Sequence, residues 1–282
     1  MPVMRVNLEL PTRKPQIALD LDEQYSNEKT IAAYLRSGRY YEPDVSLALT
    51  RLIREGDSVV DVGANVGFFT VLLGALTGPA GRVLSIEPGV HNLSRLKANI
   101  ALNGFDHVTV LERPVTDKEG EVTFFINSDD SGGNALWDPG HFPGNQRTQA
   151  NPIAHTLAAT TLERAVVDAG PPLPRLIKID TEGAEQRILE GAGHLLQNRQ
   201  VPHIVAELHE FGLNELGCSQ ASLRALMEGH GYSTFLLYPN GALPKLIPPG
   251  TMIRSRFFLN LLFSTPEAVA AHWPEEFYDP KL

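Results

Sequence analysis

The sequence predicts an α/β fold: a doubly wound, mostly parallel sheet with an antiparallel edge strand and an N-terminal extension. Three observations predict it. Short apolar runs recur along the chain, at 58–62, 82–86, 108–112 and 175–179, and several close on an acid. Stretches with apolar residues at helical spacing lie between them, and strands alternating with helices build a parallel sheet. The run at 58–70, SVVDVGANVGFFT, joins the first strand to its helix through a tight turn of small residues.

Taken in order, residues 1–24 carry prolines at 2, 11 and 15 and read as an extended arm, with one strand near Arg5–Leu10. Asn27–Ser37 is predicted helical, with Ile31, Tyr34 and Leu35 on one face, and Gly38 ends it. A pre-proline piece follows, then a helix over Val45–Glu55. The first core strand, Ser58–Val62, leads into a helix over Val66–Thr77. The second, Arg82–Ile86, closes on Glu87-Pro88. The next helix, Val90–Asn103, puts Leu93, Leu96 and Ile100 on one stripe and ends at Asn103-Gly104. A third strand, Val108–Glu112, precedes an added one, Glu121–Ile126. Residues 127–152 are rich in Gly, Pro, Asn and Asp, and a structureless segment of that length is often functional; it is expected to be an active-site loop or lid. Beyond it come a strand near 153–158, a helix over Thr161–Ala169, a strand over Arg175–Ile179 and a helix over Gly183–Leu196. The strand His203–Leu208, a helix near Ser219–Glu228 and the strand Ser233–Tyr238 follow. A last strand, Phe257–Phe263, has no helix before it and is expected to pair antiparallel at one edge. The domain reading is 1–56 for arm and helices, 57–265 for the main domain and 266–282 for a tail.

The bulk numbers bound the function. The chain has 282 residues and a formal charge of −9, so no global basic footprint points to nucleic acid. The single cysteine, Cys218, excludes an internal disulfide framework and any Cys-rich zinc site. No apolar run of about 18 residues is present, so no membrane span is expected, and the N-terminus lacks the apolar core of a signal peptide. A cytoplasmic protein with a small-molecule or glycan partner is the expectation, and the arm leaves exchange between the subunits of a homo-oligomer open.

In an open α/β sheet, ligands bind beyond the carboxyl ends of the strands. Asp61, Gly63 and Asn65 stand after the first strand, Glu87 after the second, Arg113 to Thr116 after the third, Asp180 to Glu182 after the fourth, and Glu207 and His209 around the end of the fifth. Gly63 allows the sharp turn, and Gly67 allows the helix start to lie close to the ligand. Free N–H groups there receive electronegative atoms. The pattern is D-x-G-x-N-x-G. An acid before the first glycine repels a pyrophosphate and suits a ligand whose near end is an ammonium. Glu87 lies 24 positions after Gly63 (87 − 63), where an acid typically holds a ribose diol. A ribose without a phosphate cradle argues against NAD and ATP. It fits S-adenosylmethionine, which carries adenosine, a sulfonium and an amino-acid tail.

The segments VDVGANVGFFT, SIEPGVHNLSRLKANIALNG and LIKIDTEGAEQRILEGA resemble the FkbM family of S-adenosylmethionine-dependent methyltransferases over about residues 40–210. The resemblance implies a Rossmann-like fold of the class I methyltransferase type. It also implies methyl transfer, most often to a hydroxyl of a small metabolite or sugar in secondary-metabolite or glycan tailoring. Carried over by position, Asp61, Gly63, Asn65 and Gly67 line the methionine end, and Glu87, with Pro88 and Asn92 beside it, takes the ribose. Arg113, Pro114 and Val115 sit near the adenine. Tyr41-Glu42 occupies the family's aromatic-Glu position and either closes over the amino-acid end or packs. Asn134, after two glycines, reaches the cofactor.

The chemistry falls to Asp180, Glu182 and His209. Holding nucleophile and sulfonium in line supplies much of the rate, and a neutral hydroxyl must lose its proton as it attacks. His209 suits a base at neutral pH, with Asp180 orienting base or acceptor. The bland alternatives are that Asp180 and Glu182 cap the next helix and that His209 is a solvated loop histidine. A divalent metal on Asp180, Glu207 and His209 is a further, less favoured reading. Trp137, His141 and Phe142 are candidates for the acceptor pocket. N-methylation of an amine or peptide, a non-catalytic cofactor-binding module and an NAD enzyme stay as rivals.

Overall fold

A parallel strand is covered on both faces, so it is written as a continuous apolar run. The computed structural model describes residues 3–7, 16–255 and 258–274, and those runs are its central strands. The N-terminal part is β1 (Met4–Asn7), β2 (Gln16–Leu19), α1 (Ser26–Arg36) and α2 (Pro43–Leu52). The first half of the main domain is β3 (Ser58–Val62), α3 (Phe68–Thr77), β4 (Arg82–Ile86), α4 (Val90–Asn103) and β5 (Val108–Leu111). Then come β6 (Val115–Thr116), β7 (Gly120–Ile126), α5 (Gln146–Ala150), β8 (Ile153–Thr161) and α6 (Leu162–Ala169). The second half is β9 (Leu176–Ile179), α7 (Glu185–Glu190), β10 (His203–Leu208), α8 (Glu210–Glu215), α9 (Gln220–Gly229), β11 (Ser233–Leu236), β12 (Lys245–Ile247), β13 (Leu259–Ser264) and α10 (Pro266–His272).

The main sheet runs β12-β11-β13-β10-β9-β3-β4-β5. From β10 to β5 every pairing is parallel, and β13 is antiparallel to both its neighbours. Strand order reverses between β3 and β9, which opens a crevice at their carboxyl ends. Alternate residues of one strand serve opposite faces. Val59, Leu176 and Val205 join a core under α2 and α3, whereas Val60, Ile177 and Ile204 join a second core with Leu189 of α7 and Leu223 of α9. A small sheet, β6-β8-β7, stands beside the crevice and carries the 127–152 segment between β7 and β8.

The predicted fold class is the one observed, with three differences in detail. The last strand is antiparallel, but it sits inside the sheet between β10 and β11; the edge belongs to β12. The expected start at Phe257 falls outside the described residues, as does half of the strand expected near Arg5–Leu10, residues 8–10; its first half lies in β1. The helix expected over Gly183–Leu196 ends at Glu190 and continues as a 3-10 turn at Gly193–Leu195. Residues 127–152 are not structureless: 3-10 turns at Ser131–Gly133 and Pro139–His141 and the helix α5 order them, and Trp137 is buried.

The arm is also less separate than its prolines suggest. Ile17 and Leu19 are buried in the first core. The backbone N–H groups of Ala18 and Asp20 donate to Asn103 Oδ1 and Asn99 Oδ1 of α4, each at 2.8 Å. Among the described residues no helix is long and apolar enough to cross a membrane.

Candidate active site

At the carboxyl ends of β3, β4, β9 and β10 lies a cavity of about 340 Å³. Its floor is the turn after β3. The N–H groups of Gly63 and Ala64 both donate to Ile86 O at 3.0 Å, which clamps the turn to the end of β4. Gly63 has φ +77°, and a Cβ there would stand 1.8 Å from Asp180 O, so only glycine fits between the two loops. Three non-glycine residues of the rim, Glu42, Asn65 and Glu182, also have positive φ (40°, 51° and 58°). Each such conformation costs on the order of 1 kcal/mol, and such strain gathers at functional sites.

Glu87 is anchored from both sides. Asn65 N–H donates to its Oε2 and Gly89 N–H to its Oε1, each at 2.8 Å. It is almost wholly buried, and burial pushes its pKa up to about 7 against those two bonds. Asn92 lines the same wall; its Nδ2 donates to Ser131 O at 2.9 Å, and its Oδ1 is buried with no partner among the described residues. That orphaned acceptor needs a donor such as a hydroxyl. Pro88, Pro114, Val115 and Asn134 line the cavity. Arg113 does not: it is exposed and outside the lining.

Two glycine-turn residues act from behind the cavity rather than on it. Asp61 is fully buried; Thr70 Oγ1 donates to its Oδ2 at 2.7 Å, and Lys178 Nζ lies 3.5 Å from its Oδ1. Gly67 faces Leu96 of α4, where a Cβ would meet Cδ1 at 2.8 Å. Its lack of a side chain serves helix packing, not ligand approach.

Lys178, which sequence reasoning missed, ties the site together. It is opposite Asp61 in the β3/β9 register, 2% exposed, with Nζ 3.1 Å from Asp180 Oδ2 and 4.5 Å above the Phe69 ring. Burial alone would lower its pKa, but Asp180, Asp61 and Glu42 carry it upward, so it stays charged. An isolated lysine cation so deeply buried is costly, and paired carboxylates offset that cost. The signal was present as the one charged residue inside an apolar strand, LIKI.

The residues singled out for chemistry meet, in altered roles. Neither Asp180 nor Glu182 caps α7. No side chain caps it; Glu185, fully buried at the first position of α7, instead reaches back to brace the loop, its Oε1 accepting from Thr181 N, Thr181 Oγ1 and Gly183 N at 3.0–3.1 Å. His209 is not solvated; it is 2% exposed and caps α8, its Nδ1 accepting from Gly212 N–H at 2.9 Å. With Nδ1 an acceptor, the ring proton is on Nε2, which points at Glu182 Oε2 at 3.1 Å. Burial holds the His209 pKa below its ordinary value. The ring is therefore neutral, with no lone pair left for a substrate proton. Both nitrogens being engaged also leaves none for a metal. Among the described residues no three His, Cys, Asp or Glu side chains are arranged to hold a metal ion.

Glu182 faces the cavity with the opposite tendency. Burial, then Asp180 and Glu185, raises its pKa well above the usual carboxylate range. Trp137 Nε1–H donates to its backbone carbonyl at 2.6 Å. Burial together with Asp180 pushes Glu42 up to about 8. Of the loop residues predicted to line an acceptor pocket, Trp137 and Phe142 line the cavity, whereas His141 turns outward to Glu215 at 2.7 Å. Phe258, Asn27 and Asp130 also line the cavity and were not foreseen.

The cavity's two ends fit an S-adenosylmethionine: a glycine floor that a Cβ would fill, an anchored carboxylate for a ribose, and carboxylates for an ammonium. A family comparison agrees. A family model described as the methyltransferase FkbM domain matches residues 61–234, more than half of the chain. Protein-L-isoaspartate O-methyltransferase 2 of Archaeoglobus fulgidus is 30% identical over 104 residues, 35% of this chain; the match spans about half (48%) of that relative. Among solved structures, an S-adenosylmethionine-dependent O-methyltransferase of Thermotoga maritima aligns with TM-score 0.41 at 12% identity, over 93% of this chain and 77% of its own. A precorrin-6y C5,15-methyltransferase of Geobacter metallireducens aligns with TM-score 0.41 at 14% identity, over 79% and 86%. By the family match and the order of its motifs, the chain belongs to the FkbM family of S-adenosylmethionine-dependent methyltransferases.

Proposed function

We propose that the chain transfers a methyl group to a hydroxyl of a small acceptor, with Glu182 as the general base. The observation that carries the reading is the Glu182–His209 pair. A carboxylate with raised basicity stands at the cavity wall, held by a neutral imidazole that can only donate to it. When bound, S-adenosylmethionine supplies an activated methyl on a sulfonium. The chain's own residues supply the rest. Asn65 N–H and Gly89 N–H orient Glu87 toward a ribose. Lys178 keeps Asp180 in place beneath the junction of the two ends. Glu182 accepts the hydroxyl proton as the oxygen attacks, and His209 acts as a positioning residue. The relative from Archaeoglobus fulgidus carries O-methyltransferase in its name, which agrees in reaction class.

The test is methyl transfer from labelled S-adenosylmethionine to a panel of hydroxyl and amine acceptors, with products mapped by mass spectrometry. Methylation on oxygen by the wild type, lost in Glu182→Gln with S-adenosylhomocysteine affinity kept, supports the reading. Methylation on nitrogen alone, or full activity in Glu182→Gln, sinks it.

A further inference from the structure

The acceptor end of the cavity differs chemically from what a plain hydroxyl compound needs. Among the described residues no Lys or Arg lines the cavity, yet Glu42, Asp130, Asp180, Glu182 and Glu207 do. Lys178 lies beneath and is consumed by Asp61 and Asp180. Most of the acids have partners: Asp180 has Lys178, Glu182 has His209, and Asp130 accepts from Gly132 N–H at 3.0 Å. Glu207 does not. Its Oε2 is shut off from solvent and bonds to nothing among the described residues. It lies in β10 two residues before His209, and it lines the cavity together with the His209–Glu182 pair.

An aromatic wall lines the same cavity as Glu207. His209 stacks on Phe258 with ring centres 4.7 Å apart and planes at 14°. Phe142 is 6.0 Å from His209 and 6.5 Å from Phe258, and Trp137 is 5.9 Å from His209. Phe258 is 55% exposed and lines the cavity. Ring faces beside a shielded carboxylate are the chemistry that recognises an organic cation.

We propose that the acceptor is an amino alcohol or amino sugar, its protonated amine held at Glu207 beneath the Phe142–Phe258 wall while its hydroxyl meets Glu182. This rests on the transfer reading above and deepens it. A protonated amine has no lone pair, so the methyl goes to oxygen. The hydroxyl oxygen attacks the methyl carbon and the carbon–sulfur bond breaks, with its electron pair going to sulfur. The sulfonium becomes a neutral thioether and the hydroxyl proton passes to Glu182. Burial, then Asp180 and Glu182, raises the Glu207 pKa well above its usual range, a tension that an adjacent ammonium relieves.

The test uses the full chain saturated with S-adenosylhomocysteine and three probes of one shape: benzylamine, benzyl alcohol and benzoate. Calorimetry is expected to show benzylamine bound about tenfold tighter than benzyl alcohol, and benzoate weakest. Glu207→Gln is expected to bring amine and alcohol within about twofold of each other. Phe258 is exposed, so Phe258→Leu keeps the fold while removing a ring face, and the amine preference is expected to drop about threefold. Equal binding of amine and alcohol by the wild type overturns the proposal, as does an unchanged ratio in a Glu207→Gln protein that still binds S-adenosylhomocysteine. Should Glu207→Gln not fold, the wild-type ratio and Phe258→Leu decide. The two readings fail separately. No binding of S-adenosylhomocysteine removes the transfer reading itself, whereas transfer to neutral diols as readily as to amino alcohols removes only this one.

Discussion

The two ends of the cavity are built by different means. The cofactor end is made of backbone: the turn after β3, the clamp on Ile86 O and two N–H groups on Glu87, all set by residues within about 30 positions of one another. The acceptor end is made of side chains from distant segments. Trp137 and Phe142 come from the segment between β7 and β8, Glu182 from the loop after β9, His209 from the start of α8, and Phe258 from the approach to β13. Backbone at strand ends has few alternative conformations, so the first end tolerates little variation. Side chains converging from loops can be exchanged singly, so the second end can be retuned for a new acceptor without disturbing the first.

Lys178 is where the two ends share a foundation, and removing it is expected to have the largest effect. Lys178→Met leaves Asp61 buried without a counter-charge and takes the partner from half-buried Asp180, and breaking a buried pair costs roughly 3–5 kcal/mol. Denaturant unfolding is expected to show that loss, with Lys178→Arg recovering part of it. If Lys178→Met is as stable as the wild type, the buried triad is not what joins the ends. Next comes Glu182→Gln, expected to lower kcat by about 10²–10³ while S-adenosylhomocysteine affinity stays within about threefold. The acid limb of the wild-type rate profile should lie above the usual carboxylate range, because the base must be ionised and its pKa is raised. A limb near pH 4 would assign the base elsewhere.

Glu87 sharpens the contrast from the cofactor side. Glu87→Ala removes the proposed ribose acceptor and strands the N–H groups of Asn65 and Gly89. S-adenosylhomocysteine is expected to bind about a hundredfold more weakly, or about 2.8 kcal/mol. The sign of the pH effect follows from the raised pKa of about 7. The folded protein keeps this proton where the unfolded chain has lost it, from about pH 4.3 upward. Its contribution to stability is therefore fully present below about pH 4.3 and is lost as pH rises through 7. Glu87→Gln should flatten that part of the stability profile, and cofactor binding should tighten as pH rises through the same window. Unfolding curves of the two proteins from pH 4.5 to 8 that run parallel would remove the assignment.

The same contrast explains what could be read in advance. Glu87's place on the cavity wall was legible because that place depends on a fixed distance from Gly63 along one strand–helix–strand unit. Asp61, Gly67 and Arg113 follow from the same pattern, yet spacing does not say which way a side chain points; Asp61 and Gly67 face inward and Arg113 faces solvent. His209 was legible as a residue of the site but not in its role, because the role depends on Gly212 N–H claiming Nδ1. Phe258 and Asn27 were invisible, since nothing near them in the chain refers to the site. Asn27 reaches it by donating to Asn65 Oδ1 at 3.1 Å and accepting from Ser131 Oγ at 3.0 Å. The 127–152 segment misled through composition: its Asn and Asp side chains close local turns, as Asn127 Oδ1 does with the N–H groups of Asp129 and Asp130.

Trp137 gives the smallest expected effect and the finest test of how the acceptor end is held. Its ring is buried against Phe211 and His209, and its one polar atom donates to the carbonyl of Glu182, a residue already at φ +58°. Trp137→Phe keeps an aromatic ring in the wall but deletes that donor. A lost neutral hydrogen bond costs about 1 kcal/mol, so kcat is expected to fall about fivefold. Because the cofactor end does not touch Trp137's indole N–H, S-adenosylhomocysteine affinity should not move. An equal fall in kcat and in S-adenosylhomocysteine affinity would mean that the two ends are mechanically one, and that the separation drawn between backbone-built and side-chain-built halves does not hold.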